Sequence, residues 1–126
     1  MNKEYQHTIK KSITVSGVGL HTGTQVDMTF HPAPANHGYK FRRTDLDGQP
    51  VIEADADLVT DTARGTTITK NNASVSTIEH TLAALVGLGI DNVMIDLNGP
   101  ETPIMDGSSK EFIQALSSVG METQDA

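Results

Sequence analysis

The sequence predicts an α+β fold: a single two-layer domain over residues 1–126, with a mixed β-sheet and two helices packed on one face. Two observations predict it. Apolar residues alternate with polar ones through most of the first half, the period of strands with one buried face. In the second half, two stretches carry apolar residues three and four positions apart, one on each side of a further alternating segment. Strands first and then helix–strand–helix fit helices gathered on one side of a sheet.

The elements follow in chain order. Ile13 and Val15 alternate with Ser12, Thr14 and Ser16 in a first strand. Gly17-Val18-Gly19-Leu20-His21-Thr22-Gly23 comes next, too glycine-rich for a helix and read as a connecting loop. Val26, Met28 and Phe30 then alternate with Gln25, Asp27, Thr29 and His31. Pro32-Ala33-Pro34-Ala35-Asn36 ends that strand, because proline cannot donate to a ladder. Tyr39 and Phe41 alternate again before a turn at Asp47-Gly48. Glu53, Asp55, Asp57 and Asp61 read as the solvated face of an edge strand, and Asn71-Asn72 as a turn between strands over 66–69 and 73–75.

Ile78, Leu82 and Leu85 recur at i, i+4 and i+7, one face of a helix over 77–86 that Gly87 and Gly89 close. Its other side carries Ala83, Ala84 and Gly87, small enough for a close neighbour. Residues 91–97 alternate as a strand, and Pro100 and Pro103 bracket a loop. Ser108 opens a second helix with Phe112, Ile113, Leu116 and Val119, ended by Gly120. The polar tail over 122–126 is expected to fray.

Composition narrows the partners. The chain has no cysteine, which excludes disulfides and thiolate metal sites and suits a reducing cytoplasm. No apolar run approaches the ~20 residues of a membrane span, and residues 1–11 are too polar for a signal peptide. A formal charge of -7 argues against a nucleic-acid partner. Lys10-Lys11 and Arg42-Arg43 are short basic pairs, read as solvated strand or turn. The expectation is a soluble, cytoplasmic protein directed at a small molecule.

Ser76-Thr77-Ile78-Glu79-His80 supports two readings. Ser76-x-x-Glu79 has the spacing of a capping box, repeated at Ser108-x-x-Glu111. Glu79-His80 is also a carboxylate beside an imidazole at a helix start, as a metal hydrolase needs for one general base and one ligand. A helix N-terminus favours ionised Glu79 and unprotonated His80 by about 0.3–1 kcal/mol each, which permits that role without proving it. Catalytic zinc usually takes three protein ligands and a water. The other histidines, His7, His21, His31 and His37, are not spaced to complete such a site. The motif is half of a reaction centre. Gly17-x-Gly19-x-x-x-Gly23 misses the dinucleotide fingerprint by one residue and leads into a strand. Asp45-x-Asp47-Gly48 places its glycine too early for a calcium loop.

Six segments together resemble one family. Residues 17–23, Ser76-Thr77-Ile78-Glu79-His80, Gly89-Ile90-Asp91-Asn92 and Pro103-Ile104-Met105-Asp106-Gly107-Ser108 are similar to the zinc-dependent UDP-3-O-acyl-N-acetylglucosamine deacetylases of lipid A biosynthesis. His31-Pro32-Ala33-Pro34-Ala35-Asn36 and Arg42-Arg43-Thr44-Asp45-Leu46 fit the same pattern. The resemblance implies two similar α+β domains packed helix layer to helix layer with the active site between them, this chain supplying the first. It makes Glu79 the general base, His80 a zinc (Zn2+) ligand, and Leu20 and His21 part of a loop beside the site.

The same resemblance implies that the remaining His and Asp ligands, and a histidine general acid, come from the second domain. A cysteine found in some members after Asp61-Thr62 is absent, with Gly65 at that position. The implied reaction is metal-assisted hydrolysis of an acetamide, and some members are fused to a 3-hydroxyacyl-carrier-protein dehydratase. This chain alone is then expected to be inactive, not to retain zinc, and to form a homodimer through its helix layer. The alternative is a free-standing, non-catalytic binding or regulatory domain that pairs with a second half.

Overall fold

The computed structural model describes residues 5–54, 59–61, 66–70, 73–105 and 107–126. In chain order the elements are β1 (His7–Ile9), β2 (Ile13–Val18), β3 (Gln25–Pro32), β4 (Tyr39–Arg43), β5 (Val51–Glu53), β6 (Val59–Asp61), β7 (Thr67–Lys70) and β8 (Ala73–Ser76). Then come α1 (Glu79–Gly87), β9 (Val93–Leu97), α2 (Lys110–Val119) and β10 (Met121–Thr123). A five-stranded sheet in the order β2-β3-β9-β4-β5 carries the fold. It is mixed, with β4 and β9 parallel and the other neighbours antiparallel. A three-stranded sheet (β6-β7-β8) and a two-stranded ribbon (β1-β10) complete the described strands.

Register explains why the alternation was readable. Ile13, Phe30, Ile95, Phe41 and Ile52 lie side by side in one row across all five strands. That row joins Ile78, Ala84, Leu85, Phe112 and Leu116 in one hydrophobic core, so both helices cover the same face. The opposite face is polar. Thr14, Thr29, Asp96 and Arg42 form a row there by the same pairing.

On that open face His31 lies 2.7 Å from Ser12 Oγ through Nδ1 and 2.8 Å from Asp96 through Nε2. Arg42 donates to both oxygens of Asp96, at 2.6 and 2.9 Å. Burial pushes the Asp96 carboxyl up, but the bonds from Arg42 and His31 outweigh it and hold it below its ordinary 3.8. A depressed folded-state value gives stability that is complete above the unfolded pKa and lost as pH falls through the folded one. Asp45 has the same sign, its carboxyl held down chiefly by the Arg43 hydrogen bond. Asp96→Asn should therefore flatten the acid side of the stability curve below about pH 4. Urea midpoints across that range check this, and an unchanged acid limb would contradict it.

Four expectations change. Arg43 is no solvated surface cation: it is 6% exposed, on the core-facing side of β4 with Phe41. Its Nη1 donates to the Ser74 carbonyl at 2.8 Å, and Nε and Nη2 reach Asp45 at 2.9 and 2.8 Å. A buried guanidinium is tolerated because its donors are satisfied, and this one ties β8 to the central sheet. Ala84, expected on the free side of the helix, is fully buried; Ala83, Val86 and Gly87 face outward. Helix α1 begins at Glu79 rather than at residue 77.

The tail is tied down as well. Met121–Thr123 pairs with His7–Ile9. The Gln124 amide donates to the Gln6 carbonyl and the Gln6 amide to the Ala126 carbonyl, both at 2.8 Å. Every β10 side chain is exposed, so backbone pairing holds this strand where apolar burial does not. Asn71-Asn72, Asp55, Asp57, Gly65 and Asp106 lie outside the described residues.

Candidate functional site

Between β8 and α1 the backbone turns sharply. Thr77 has φ +62°, the left-handed region, which a β-branched residue occupies at a cost of about 1–3 kcal/mol. A strap over 100–102 runs alongside and holds it there. The Ser76 amide donates to the Pro100 carbonyl at 2.8 Å, and the Thr102 amide to the Ser76 carbonyl at 3.2 Å. Thr102 Oγ1 donates to the Thr77 carbonyl at 2.5 Å, and Thr77 Oγ1 to Glu101 Oε2 at 2.8 Å.

Glu101 is the centre of this arrangement. Its side chain is 2% exposed, and its carboxylate also accepts the His21 amide at 2.9 and 3.1 Å and the Thr22 amide at 3.1 Å. Burial pushes the carboxyl up; the Thr22 amide, the Thr77 hydroxyl and the His21 amide together hold it below its ordinary 4.5. The loop wraps so closely that a Cβ on Gly19 would fall 2.5 Å from Glu101 Oε1 and from Thr22 Oγ1. Glycine is required there for the approach.

The candidate residues stand around this clamp. Glu79 and His80, both half-buried, are the first two residues of α1. Glu79 Oε2 accepts the Thr66 amide at 2.7 Å, and among the described residues no other donor reaches the carboxylate. Among the described residues the His80 ring has no hydrogen-bond partner. Leu20 is 57% exposed in the loop, and His21 Nε2 lies 4.0 Å from Glu101 Oε2. Glu101 thus brings the Leu20-His21 loop and the approach to Glu79-His80 onto one carboxylate.

The capping box does not form. Ser76 is still in the β8 ladder, where its Oγ accepts from Thr67 Oγ1 at 3.0 Å, and Ile78 occupies the N-cap without a side-chain bond. The Thr77 turn takes Ser76 out of reach, and the Glu79 carboxylate is engaged by Thr66 instead. At α2 the N-cap is Ser109, without a side-chain bond, and Ser108 Oγ accepts from the Lys110 amide at 3.2 Å. Glu101 and Thr77 were missed because their partners are distant in the sequence. The available signal was a lone acidic residue between Pro100 and Pro103, with no cation beside it.

Comparison with known sequences decides the family. The profile of the UDP-3-O-acyl N-acetylglycosamine deacetylases, LpxC, matches residues 6–126. The chain belongs to the LpxC family. It is 56% identical over 121 residues to the bifunctional enzyme LpxC/FabZ of Bacteroides thetaiotaomicron, covering 96% of this chain and 26% of that protein. It is 49% identical over 121 residues to the UDP-3-O-acyl-N-acetylglucosamine deacetylase of Stenotrophomonas maltophilia, covering 96% of this chain and 40% of that one. The deacetylase of Xanthomonas campestris pv. campestris is 51% identical over 122 residues, with 95% and 40% covered. The LpxC-family chain thus spans about a quarter to two fifths of the length of these relatives.

Two properties of the chain bear on chemistry. Among the described residues no three His, Cys, Asp or Glu side chains converge as a metal site requires. At the start of α1 stand an imidazole, His80, without a hydrogen-bond partner among the described residues, and an adjacent, anchored carboxylate, Glu79. That donor set fits one share of a zinc site completed by other residues. No described helix is long and apolar enough to cross a membrane.

Proposed function

We propose that this chain is the first half of a zinc-dependent deacetylase that removes acetate from UDP-3-O-acyl-N-acetylglucosamine in the cytoplasm. One observation carries the reading: Glu79 and His80 open α1 side by side, the carboxylate anchored by the Thr66 amide and the imidazole unpartnered among the described residues. The deacetylase names of relatives at 49–51% identity support it.

His80 would hold zinc with one ring nitrogen, the remaining ligands coming from a second domain packed on the helix layer. When bound, the metal supplies Lewis acidity to the acetamide carbonyl and to water. Glu79 does the proton work of this half. Held at Oε2, it takes a proton at Oε1 from the water that attacks the carbonyl. Carbon–nitrogen cleavage then releases acetate, and the C2 amine receives its proton from an acid in the other half. Leu20 and His21, clamped through Glu101, line the approach to that point. Acetate release from UDP-3-O-acyl-N-acetylglucosamine by the complete protein tests this reading, and no release above a metal-free control would contradict it. The isolated chain should lose zinc on dialysis against a weak chelator, since one imidazole and a neighbouring carboxylate are too few ligands.

The outward side of α1 fits the same reading. Val86 is 67% exposed beside exposed Ala83 and Gly87, an apolar stretch suited to a docked partner. In the isolated chain a second copy can take the place of that partner, giving a self-complementary dimer. Light scattering of the isolated chain over a concentration series should show association that Val86→Glu abolishes. A monomer at several hundred micromolar, a range on the order of -5 kcal/mol, would exclude it.

A further inference from the structure

Resting on the deacetylase reading, we propose that Glu101 is a positioning residue of that site: its buried carboxylate joins the Leu20-His21 loop to Thr77 and so fixes where α1 presents Glu79 and His80. Three donors converge on it, the amides of His21 and Thr22 and the hydroxyl of Thr77. They come from segments about 80 residues before and 24 residues before Glu101 itself. No lysine or arginine pairs with it among the described residues, so these hydrogen bonds stabilise the charge. All three partners are donors. An ionised carboxylate accepts from all of them, whereas an amide would set an N–H against an N–H.

The strain at Thr77 points the same way. A non-glycine residue in the left-handed region persists only where its surroundings over-determine it, and such residues gather at functional sites. Here Glu101 holds the Thr77 side chain and Thr102 holds its carbonyl, two residues ahead of Glu79. Rotation at Thr77 would swing the first turn of α1 relative to the loop. Gly19 completes the clamp, since any side chain there would displace Glu101.

Glu101→Gln and Thr77→Gly in the complete protein separate positioning from simple stabilisation, with kcat, KM, bound metal and urea midpoint measured for each. Glu101→Gln is expected to lower kcat at least tenfold while KM stays within about threefold and the metal remains bound. Thr77→Gly relieves the backbone strain, because glycine adopts positive φ freely. It should leave the urea midpoint unchanged or higher and still lower kcat. That split is one a merely structural role does not produce.

An active wild type with Glu101→Gln kcat within threefold overturns the assignment. So does a Thr77→Gly protein whose kcat simply follows its stability. Should Glu101→Gln fail to fold, Thr77→Gly decides on the same criteria. A wild-type protein that releases no acetate overturns the deacetylase reading itself, and this assignment with it.

Discussion

Replacing Glu79 by alanine should lower kcat of the complete protein by about 10²–10⁴-fold, the usual worth of a positioned general base, while its metal content stays at the wild-type level. The expectation follows from the division of labour in the first turn of α1. Glu79 is anchored at one oxygen by the Thr66 amide, at the start of β7. In the proposed mechanism, removing it takes away the proton acceptor and leaves the His80 ring in place. The substitution also leaves the Thr66 amide without its acceptor, at a cost of about 1–3 kcal/mol if that amide stays buried. Steady-state kinetics with metal analysis check the prediction. Turnover within a few-fold of wild type would reduce Glu79 to a structural acceptor for Thr66.

The largest stability loss is expected at the centre of the main sheet. Phe30 is fully buried on β3, flanked in register by Ile13 and Ile95. Phe30→Ala should destabilise the domain by about 3–5 kcal/mol, transfer and cavity contributions together. That is a large part of the ~5–15 kcal/mol that holds a domain of this size folded. Thr29→Ala, next to it on the open face, loses a half-exposed hydroxyl contact with Thr14 and should cost about 1 kcal/mol or less. Urea midpoints of the two variants give the comparison. Equal losses would mean that the two faces of the sheet are not the buried and open pair described.

That same alternation explains how much of the fold was legible. Val26, Met28 and Phe30 repeat every second residue because one face of β3 is covered and the other is wet. Strand β10 gave no such signal, since all three of its side chains are exposed and its backbone bonds alone place it. Arg43 was misread for a related reason. Its position on the pleat says inward, its residue type says outward, and the pleat wins because Asp45 and the Ser74 carbonyl satisfy the guanidinium.

At the site, the adjacency of Glu79 and His80 was visible, but their setting was not. The spacing of Ser76 and Glu79 suggested a reciprocal cap, and the left-handed turn at Thr77 forbids it. Nothing local marks that turn, because Thr77 is held by Glu101 and Thr102, some 25 residues further on. The clamp that joins loop to helix is tertiary. A pattern read within one segment does not reach it.

Zinc affinity of the complete protein, by competition with a chelator, for wild type and His80→Ala, tests most directly whether α1 supplies a metal ligand. Tight binding by wild type and at least a tenfold loss in the variant are expected, because removal of a direct ligand should cost no less than the roughly 10–100-fold seen for outer-shell partners. Equal zinc affinity in the two proteins would contradict this, and would remove His80 from the metal site.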